Sequence, residues 1–381
     1  MRVICAPDSF KESLSAVEAA AAMARGVRSV VPDADVVEVP LADGGEGFVD
    51  ALASALGAEV RTIDLPDALG RPSRGRFALL GDLAVLEVAQ AVGLGAIAPA
   101  DRDILRSSSA GVGHLVRAAL DAGARRLVVG LGGSATNDAG AGMLATLGVR
   151  FLDADGRPVL PVPAELQRAT TVDASGLDPR LEDAIVEAAC DVTAPLCGPT
   201  GASAVFGPQK GATPDLVGVL DALLGRLAVL SGRAAVATLP GAGAAGGLGW
   251  ALLAFCGATT RPGIELVAEL TGLDAAVADA DLVLTGEGSV DAQTLQGKAP
   301  AGVARVAAAH GVPVVILGGR IAPDADVLLQ AGVAALVPIT QGVTDLPTAL
   351  REGASNLERA TAMVVRLYRA GRTASAGSSA T

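Results

Sequence analysis

Only three of the 29 cationic side chains in this sequence are lysines, and each stands beside glycine, serine or proline. Lys11 lies in Asp8-Ser9-Phe10-Lys11-Glu12-Ser13, Lys210 in Gly207-Pro208-Gln209-Lys210-Gly211 and Lys298 in Gln296-Gly297-Lys298-Ala299-Pro300. A lysine ammonium is a compact charge with three donors. It can follow a moving phosphoryl group, which arginine's rigid fork does less well. Contact with a phosphate or a substrate carboxylate is the expectation for at least one of them. The plain alternative is residual surface lysines in an arginine-biased chain.

Carboxylates recur in glycine-rich stretches. Asp43 and Glu46 flank Gly44-Gly45, and Asp138 follows Gly132-Gly133-Ser134-Ala135-Thr136-Asn137. Asp191 ends the apolar run Ala188-Ala189-Cys190, and Glu287 and Asp291 stand in Thr285-Gly286-Glu287-Gly288-Ser289-Val290-Asp291. Any one of these, taken alone, reads more simply as a helix cap or turn residue. Several of them at strand ends form a different pattern. Open α/β sheets bind ligands there, and Mg²⁺ beside ATP needs only one or two carboxylates.

Two glycine patterns offer a rival chemistry. Gly130-Leu131-Gly132-Gly133-Ser134-Ala135 and Gly241-Ala242-Gly243-Ala244-Ala245-Gly246 both fit dinucleotide fingerprints, which would make the chain an NAD(P)-dependent hydroxy-acid dehydrogenase. With 48 glycines, such matches arise by chance. A non-catalytic small-molecule sensor is a third reading. No P-loop, HExxH zinc motif, GxSxG elbow or protein-kinase set occurs in the sequence. Ser107-Ser108-Ser109, before a predicted helix over 110–121, is a capping or anion site.

The elements that must position these residues follow a rhythm. Arg2–Ala6 and Asp35–Pro40 read as strands, each followed by a loop and a helical stretch. Asp281–Thr285, Val312–Leu317 and Val333–Pro338 repeat it near the other end. Such alternation predicts a doubly wound parallel sheet. The middle breaks the rhythm with two hairpin signals. Gly81-Asp82 separates Gly75–Leu80 from Leu83–Val88, and Asp155-Gly156 separates Arg150–Leu152 from Arg157–Leu160. The expected fold is α/β, with one discontinuous domain (1–60 plus 275–370) interrupted by an inserted mixed α/β domain (61–274). A Gly/Ser/Ala/Thr-rich tail over 371–381 is expected to be disordered.

Composition narrows the classes. At 381 residues and 51% hydrophobic, the chain holds large cores. A net charge of -12 with 2% aromatics gives neither a basic footprint nor a stacking platform for nucleic acid. The uncharged stretch 234–260 contains Pro240 and six glycines, so it reads as a loop and a buried helix and not as a membrane span. No targeting segment is evident, and four isolated cysteines suit free thiols in a cytoplasmic protein.

Taken together, six stretches in this order resemble the type I glycerate kinase family. They are Ala6-Pro7-Asp8-Ser9-Phe10-Lys11-Glu12-Ser13-Leu14, Ala42-Asp43-Gly44-Gly45-Glu46-Gly47, Gly132–Asp138, Cys190-Asp191-Val192-Thr193, Phe206–Gly211 and Thr285-Gly286-Glu287-Gly288. The resemblance implies a kinase that uses ATP and Mg²⁺ to phosphorylate D-glycerate, usually giving 2-phosphoglycerate. It also implies a flavodoxin-like domain interrupted by a second α/β domain. The chain departs from the family's usual residues at Ala194 (Asn), Ala139 (Gly), Phe48 (Thr) and Ser289 (a basic residue).

On this reading Lys11, Asp191, Lys210 and Lys298 are the catalytic candidates. Gly132, Gly133, Ser134, Thr136 and Asn137 would cradle ATP phosphates. Asp43, Asp191, Glu287 and Asp291 are the pool for Mg²⁺ and for a base. Asp8, Ser9, Lys11 and Ser108 would meet glycerate. Neither a nucleic-acid nor a membrane partner is expected, and the chain would act as a monomer or homodimer.

Overall fold

The computed structural model describes residues 1–295 and 297–378. The chain forms two compact units. One comprises Met1–Ala42, Asp50–Leu56 and Ile264–Thr381, and the other Asp43–Val49 and Gly57–Gly263.

The first unit is built on five parallel strands. Across the sheet they run Ala335–Pro338, Val314–Ile321, Leu282–Val290, Arg2–Cys5 and Asp35–Glu38. Counted within this unit, that is the flavodoxin-like order 2-1-3-4-5. Its switch point lies between Arg2–Cys5 and Leu282–Val290, where such sheets bind ligands. Val3, Ile4 and Cys5 are fully buried, as expected of a parallel strand covered on both faces. The helix Ala16–Arg28 begins at a capping box. The Ser15 side chain accepts from the Glu18 N–H, and the Glu18 carboxylate accepts from the Ser15 N–H. Its Ala19, Met23 and Val27 pack with Val3, Cys5 and Leu284 in one core.

The second unit has a six-stranded sheet in the order Thr259–Arg261, Ile185–Ala189, Arg126–Gly130, Leu83–Glu87, Pro72–Leu80 and Glu59–Pro66. The first four are parallel and the last two antiparallel. The hairpin at Gly81-Asp82 forms between Pro72–Leu80 and Leu83–Glu87, with Gly81 left-handed at φ +59°. A separate core takes Leu86, Leu127, Val129, Leu144, Leu224 and Trp250.

Three expectations need correction. Arg157–Leu160 is not a strand. The turn at Asp155-Gly156 closes through Gly156 N–H to Asp153 O, with one bridge from Leu152 to Pro158. Arg150–Leu152 forms its ladder with Thr171–Asp173, and across the turn Val159 N–H donates to Phe151 O and Asp153 N–H to Arg157 O. Gly286–Val290 is not a loop but continues the strand predicted to end at Thr285, which runs Leu282–Val290. Its glycines admit neighbouring backbone: a Cβ on Gly286 would lie 2.1 Å from Leu317 O, and one on Gly288 would lie 3.2 Å from Lys11 N. The predicted tail also differs, since the last helix runs Gly353–Ser378, with Arg372 bonded to Asp281 and to the Tyr368 hydroxyl. Residues 379–381 lie outside the described residues.

The segment after Pro240 is a loop and a buried helix, Ala244–Phe255. No helix among the described residues is long and apolar enough to cross a membrane. Its first turn is left-handed at Ala245, Gly246 and Gly247 (φ +51°, +70° and +92°), and the Gly246 carbonyl accepts from the Ala139 N–H. A Cβ on Gly246 would lie 1.9 Å from Thr136 O. Gly246→Ala is therefore expected to cost about 2–5 kcal/mol, from left-handed strain plus overpacking. Ala139, itself left-handed at φ +55°, makes the contrast. In Ala139→Gly, relief of strain is offset by a lost buried methyl and a freer unfolded chain, leaving stability within about 1 kcal/mol of wild type. Urea unfolding of both variants checks this, and equal losses would contradict it.

Candidate functional site

In the second unit the candidate residues gather where the parallel strands end. The sharp turn Asp43–Gly47 is fixed by backbone contacts. The Gly132 N–H donates to Gly44 O at 2.9 Å, and a Cβ on Gly132 would lie 2.5 Å from the Gly45 Cα. The Glu87 carboxylate, buried at the end of Leu83–Glu87, accepts from the Gly47 and Val49 N–H groups at 3.3 and 3.1 Å. It holds the start of the helix Phe48–Leu56, where a negative charge is favoured. Asp191 lies just past Ile185–Ala189, and its Oδ1 accepts from the Gly263 N–H at 3.0 Å. A Cβ on Gly263 would lie 2.3 Å from Asp43 O, so Asp43 and Asp191 meet the same glycine. Both aspartates are exposed.

The segment Gly132–Asp138 is held mostly from behind. Asp138 is fully buried and accepts four bonds: the Ser109 N–H and hydroxyl on Oδ2 (2.8 Å each), Gly142 N–H on Oδ2 (3.0 Å) and Gly140 N–H on Oδ1 (3.0 Å). Burial raises its pKa, against the pull of these bonds. Lys210 is also buried, at 3% exposure, and its Nζ donates to Ser134 Oγ (2.9 Å) and Thr136 O (2.8 Å). Burial pushes Lys210 down to about 7, opposed by the charge of Asp138. Asn137 donates from Nδ2 to Ser203 Oγ at 2.9 Å. Thr136 Oγ1 and Asn137 Oδ1 are buried without a partner among the described residues.

These facts sort the proposed phosphate cradle. Gly133 is exposed and Gly132 half-buried, with its N–H already engaged. Ser134, Thr136 and Asn137 are buried. Ser108 is half-buried, its Oγ accepts from the Ala110 N–H at 3.3 Å, and a Cβ on Gly142 would lie 2.2 Å from it. Beside Asp191 lies a depression of about 450 Å³ lined by Asp191, Thr193, Ala194, Pro195, Thr200 and Phe206. Thr200 and Pro195 have no motif to mark them in the sequence, and neither does the helix-holding Glu87.

In the first unit the candidates meet at the switch point. Phe10 and Leu14 bridge in the turn after Arg2–Cys5. Asp8 N–H donates to Gly286 O at 2.9 Å, and Asp8 Oδ1 accepts from the Ser9 N–H. The Lys11 backbone lies against Gly288, and its side chain is exposed. Glu287 is mostly buried, and its oxygens accept from Thr294 Oγ1 (2.7 Å) and Lys298 Nζ (3.1 Å). Burial raises its pKa, while Thr294 and Lys298 oppose the rise. Asp291 Oδ1 lies 3.9 Å from Lys298 Nζ and accepts from the Gln293 N–H. Lys298 thus pairs with two of the proposed metal carboxylates.

No group of three or more metal-binding side chains occurs among the described residues. Exposed hard-oxygen donors such as Asp43 and Asp191 suit Mg²⁺, which keeps several waters and takes one or two carboxylates beside a nucleotide. Neither glycine pattern has the context of a dinucleotide fingerprint. Gly241–Gly246 follows a short 3₁₀ turn and not a strand, and after Gly130 the next helix starts only at Ala141.

A family model described as the glycerate kinase family matches residues 3–369. The chain is 47% identical over 364 residues to a glycerate kinase of Bacillus subtilis (strain 168), covering 94% of this chain and 95% of that protein. It is 42% identical over 365 residues to a glycerate 2-kinase of Escherichia coli (strain K12), covering 94% and 96%. A solved structure from Salmonella typhimurium LT2, described as a glycerate kinase 2, superposes with a TM-score of 0.88 at 44% identity, over 98% of this chain and 99% of that one.

The buried lysine gives a pH signature. Between about 7 and the ordinary lysine value of 10.5, the unfolded chain holds a proton on Lys210 that the folded chain lacks. Across that window this residue makes stability rise with pH, and below it the burial penalty is present in full. Lys210→Met removes the group. The gap in unfolding free energy between wild type and variant should move in favour of wild type from about pH 7 to about pH 10. A gap that does not change with pH would contradict it.

Proposed function

The chain belongs to the glycerate kinase family, and from that membership we infer that it transfers a phosphoryl group from ATP to a hydroxyl of glycerate. The single observation that carries this reading is similarity to glycerate kinases along nearly the whole chain. The relatives favour neither a dehydrogenase nor a sensor. We propose the 2-hydroxyl as acceptor, in line with the relative that is a glycerate 2-kinase.

Phosphoryl transfer is mostly positioning and charge stabilisation. In the second unit, we assign Asp191 to accept the proton of the substrate hydroxyl. The Gly263 N–H fixes its carboxylate at the edge of the depression. Asp43 is the preferred carboxylate for Mg²⁺, because Glu287 has Thr294 on one oxygen and Lys298 on the other. Mg²⁺, when bound with ATP, neutralises charge on the phosphate oxygens. Gly133, exposed and left-handed at φ +70°, gives the loop an open backbone face for phosphate. In the first unit, exposed Lys11 is the cation for an anionic group, with Asp8 and Ser9 beside it at the switch point. Lys298 is held by Glu287 and Asp291, so its charge is largely balanced within the protein.

A coupled assay of ADP release tests the reading. Glycerate should stimulate release in the presence of Mg²⁺, EDTA should abolish it, and phosphorus NMR should identify 2-phosphoglycerate. NAD-linked turnover without glycerate-dependent ADP would overturn the kinase, and 3-phosphoglycerate would overturn the acceptor. Asp191→Asn and Lys11→Ala should each lower kcat/KM by on the order of a hundredfold or more. Both residues are exposed, so the melting temperature should stay near wild type. Wild-type kinetics in both would remove them from the site.

A further inference from the structure

Lys210 sits in a position ill suited to touching a ligand. It ends a short turn, Pro208–Lys210, closed by left-handed Gly211 at φ +99°. The turn is anchored on one side by Arg102, whose Nη1 donates to Gln209 O at 2.9 Å. Gly207 holds the other side, with its missing Cβ 2.3 Å from Ser203 O. From there the side chain runs inward, and two of its three donors are spent on the glycine-rich loop itself, at Ser134 Oγ and Thr136 O. Ser203, from the helix Ala202–Phe206 just before, takes Asn137 of the same loop. Two contiguous elements therefore grip the loop at three of its residues. Asp138 is the carboxylate whose charge reaches the ammonium, and Arg102 is the cation on the turn side.

We propose that Lys210 is a positioning residue: it fastens the loop Gly132–Asn137 from behind, in the shape that meets the phosphates, and does not itself contact the transferred group. This rests on the assignment of that loop to ATP phosphates above. The reason is the direction of the donors. A lysine that served a phosphate would present its protons toward solvent, whereas this one points them at loop atoms from a buried position. Its loss acts first on the loop and only through it on transfer.

Hydrogen exchange on the free protein, without ATP or glycerate, reads the loop directly. In Lys210→Met, amides within 132–137 should exchange about tenfold faster or more, the scale of buried acceptors left without their donor. Ser134→Ala removes one acceptor with little change of volume and keeps the test open if the methionine variant does not fold. It should raise exchange in the same segment by about two- to tenfold. Unchanged exchange in 132–137 in Ser134→Ala, or in folded Lys210→Met, overturns the proposal. Kinetics give a second limb. If Lys210 acts through Ser134 and Thr136, the double variant should match Lys210→Met in kcat/KM within about twofold. Fully multiplicative losses would put the ammonium on a substrate and also overturn it. The exchange limb does not depend on the reaction. Failure of glycerate-dependent ADP release in wild type would end the kinase reading and leave the exchange result standing.

Discussion

The geometry of the second unit hangs on one buried carboxylate. Asp138 gathers bonds from Ser109 and from the N–H groups of Gly140 and Gly142. Those donors open two helices, Ala110–Asp121 and Ala141–Thr146, and the Ser109 hydroxyl passes a further bond on by accepting from the Met143 N–H. Helix starts carry unsatisfied N–H groups and a positive end, so one carboxylate between two starts satisfies both. An unpaired charge in that place would be costly. Four donors and the field of Lys210 make it tenable. Because Asp138 ends the glycine-rich loop, fixing it fixes the loop.

Glycine does the complementary work. At Gly132, Gly246 and Gly263 a Cβ would fall within 2.5 Å of another segment's backbone, so backbone lies directly on backbone. Such contacts seat the Asp43–Gly47 turn on Gly132 and Gly263, and the Thr136 carbonyl on Gly246. The Asp43 backbone and the Asp191 carboxylate thereby meet at the same glycine, Gly263. The first unit uses the device too. Gly286 and Gly288 let the Phe10–Lys11 turn lie on the strand Leu282–Val290. Several of the 48 glycines lie in or beside regular strands.

This separates what was legible in the sequence from what was not. Short apolar runs bounded by turns mark buried parallel strands, and Val3-Ile4-Cys5 and Leu127-Val128-Val129 behave as their composition predicts. Gly81-Asp82 is legible because a two-residue turn needs a positive φ locally. The strand through Glu287 is not, because its glycines answer to Leu317 and Phe10, far away in sequence. Six ordered motifs are enough to point to the family. They do not say that Thr136 and Asn137 are buried, nor that Glu87 holds a helix start. Those facts depend on which side of a loop faces the core, and the motif is the same either way.

The three lysines show why residue type alone was a partial guide. Lys11 is exposed, Lys298 balances Glu287 and Asp291, and Lys210 is buried against neutral acceptors. In an acidic chain, scarcity of lysine draws the eye to all three for one reason, but their surroundings give three different answers. At 210 the preference for lysine over arginine follows from counting donors. The site provides a hydroxyl and a carbonyl. An ammonium with three protons leaves one to place, whereas a guanidinium brings five N–H groups in a fixed fork. Each buried donor left over costs about 1–3 kcal/mol, so arginine there would cost more than the bonds return. The lysine is thus selected by the number of acceptors behind the loop, and its charge is a burden that Asp138 partly offsets.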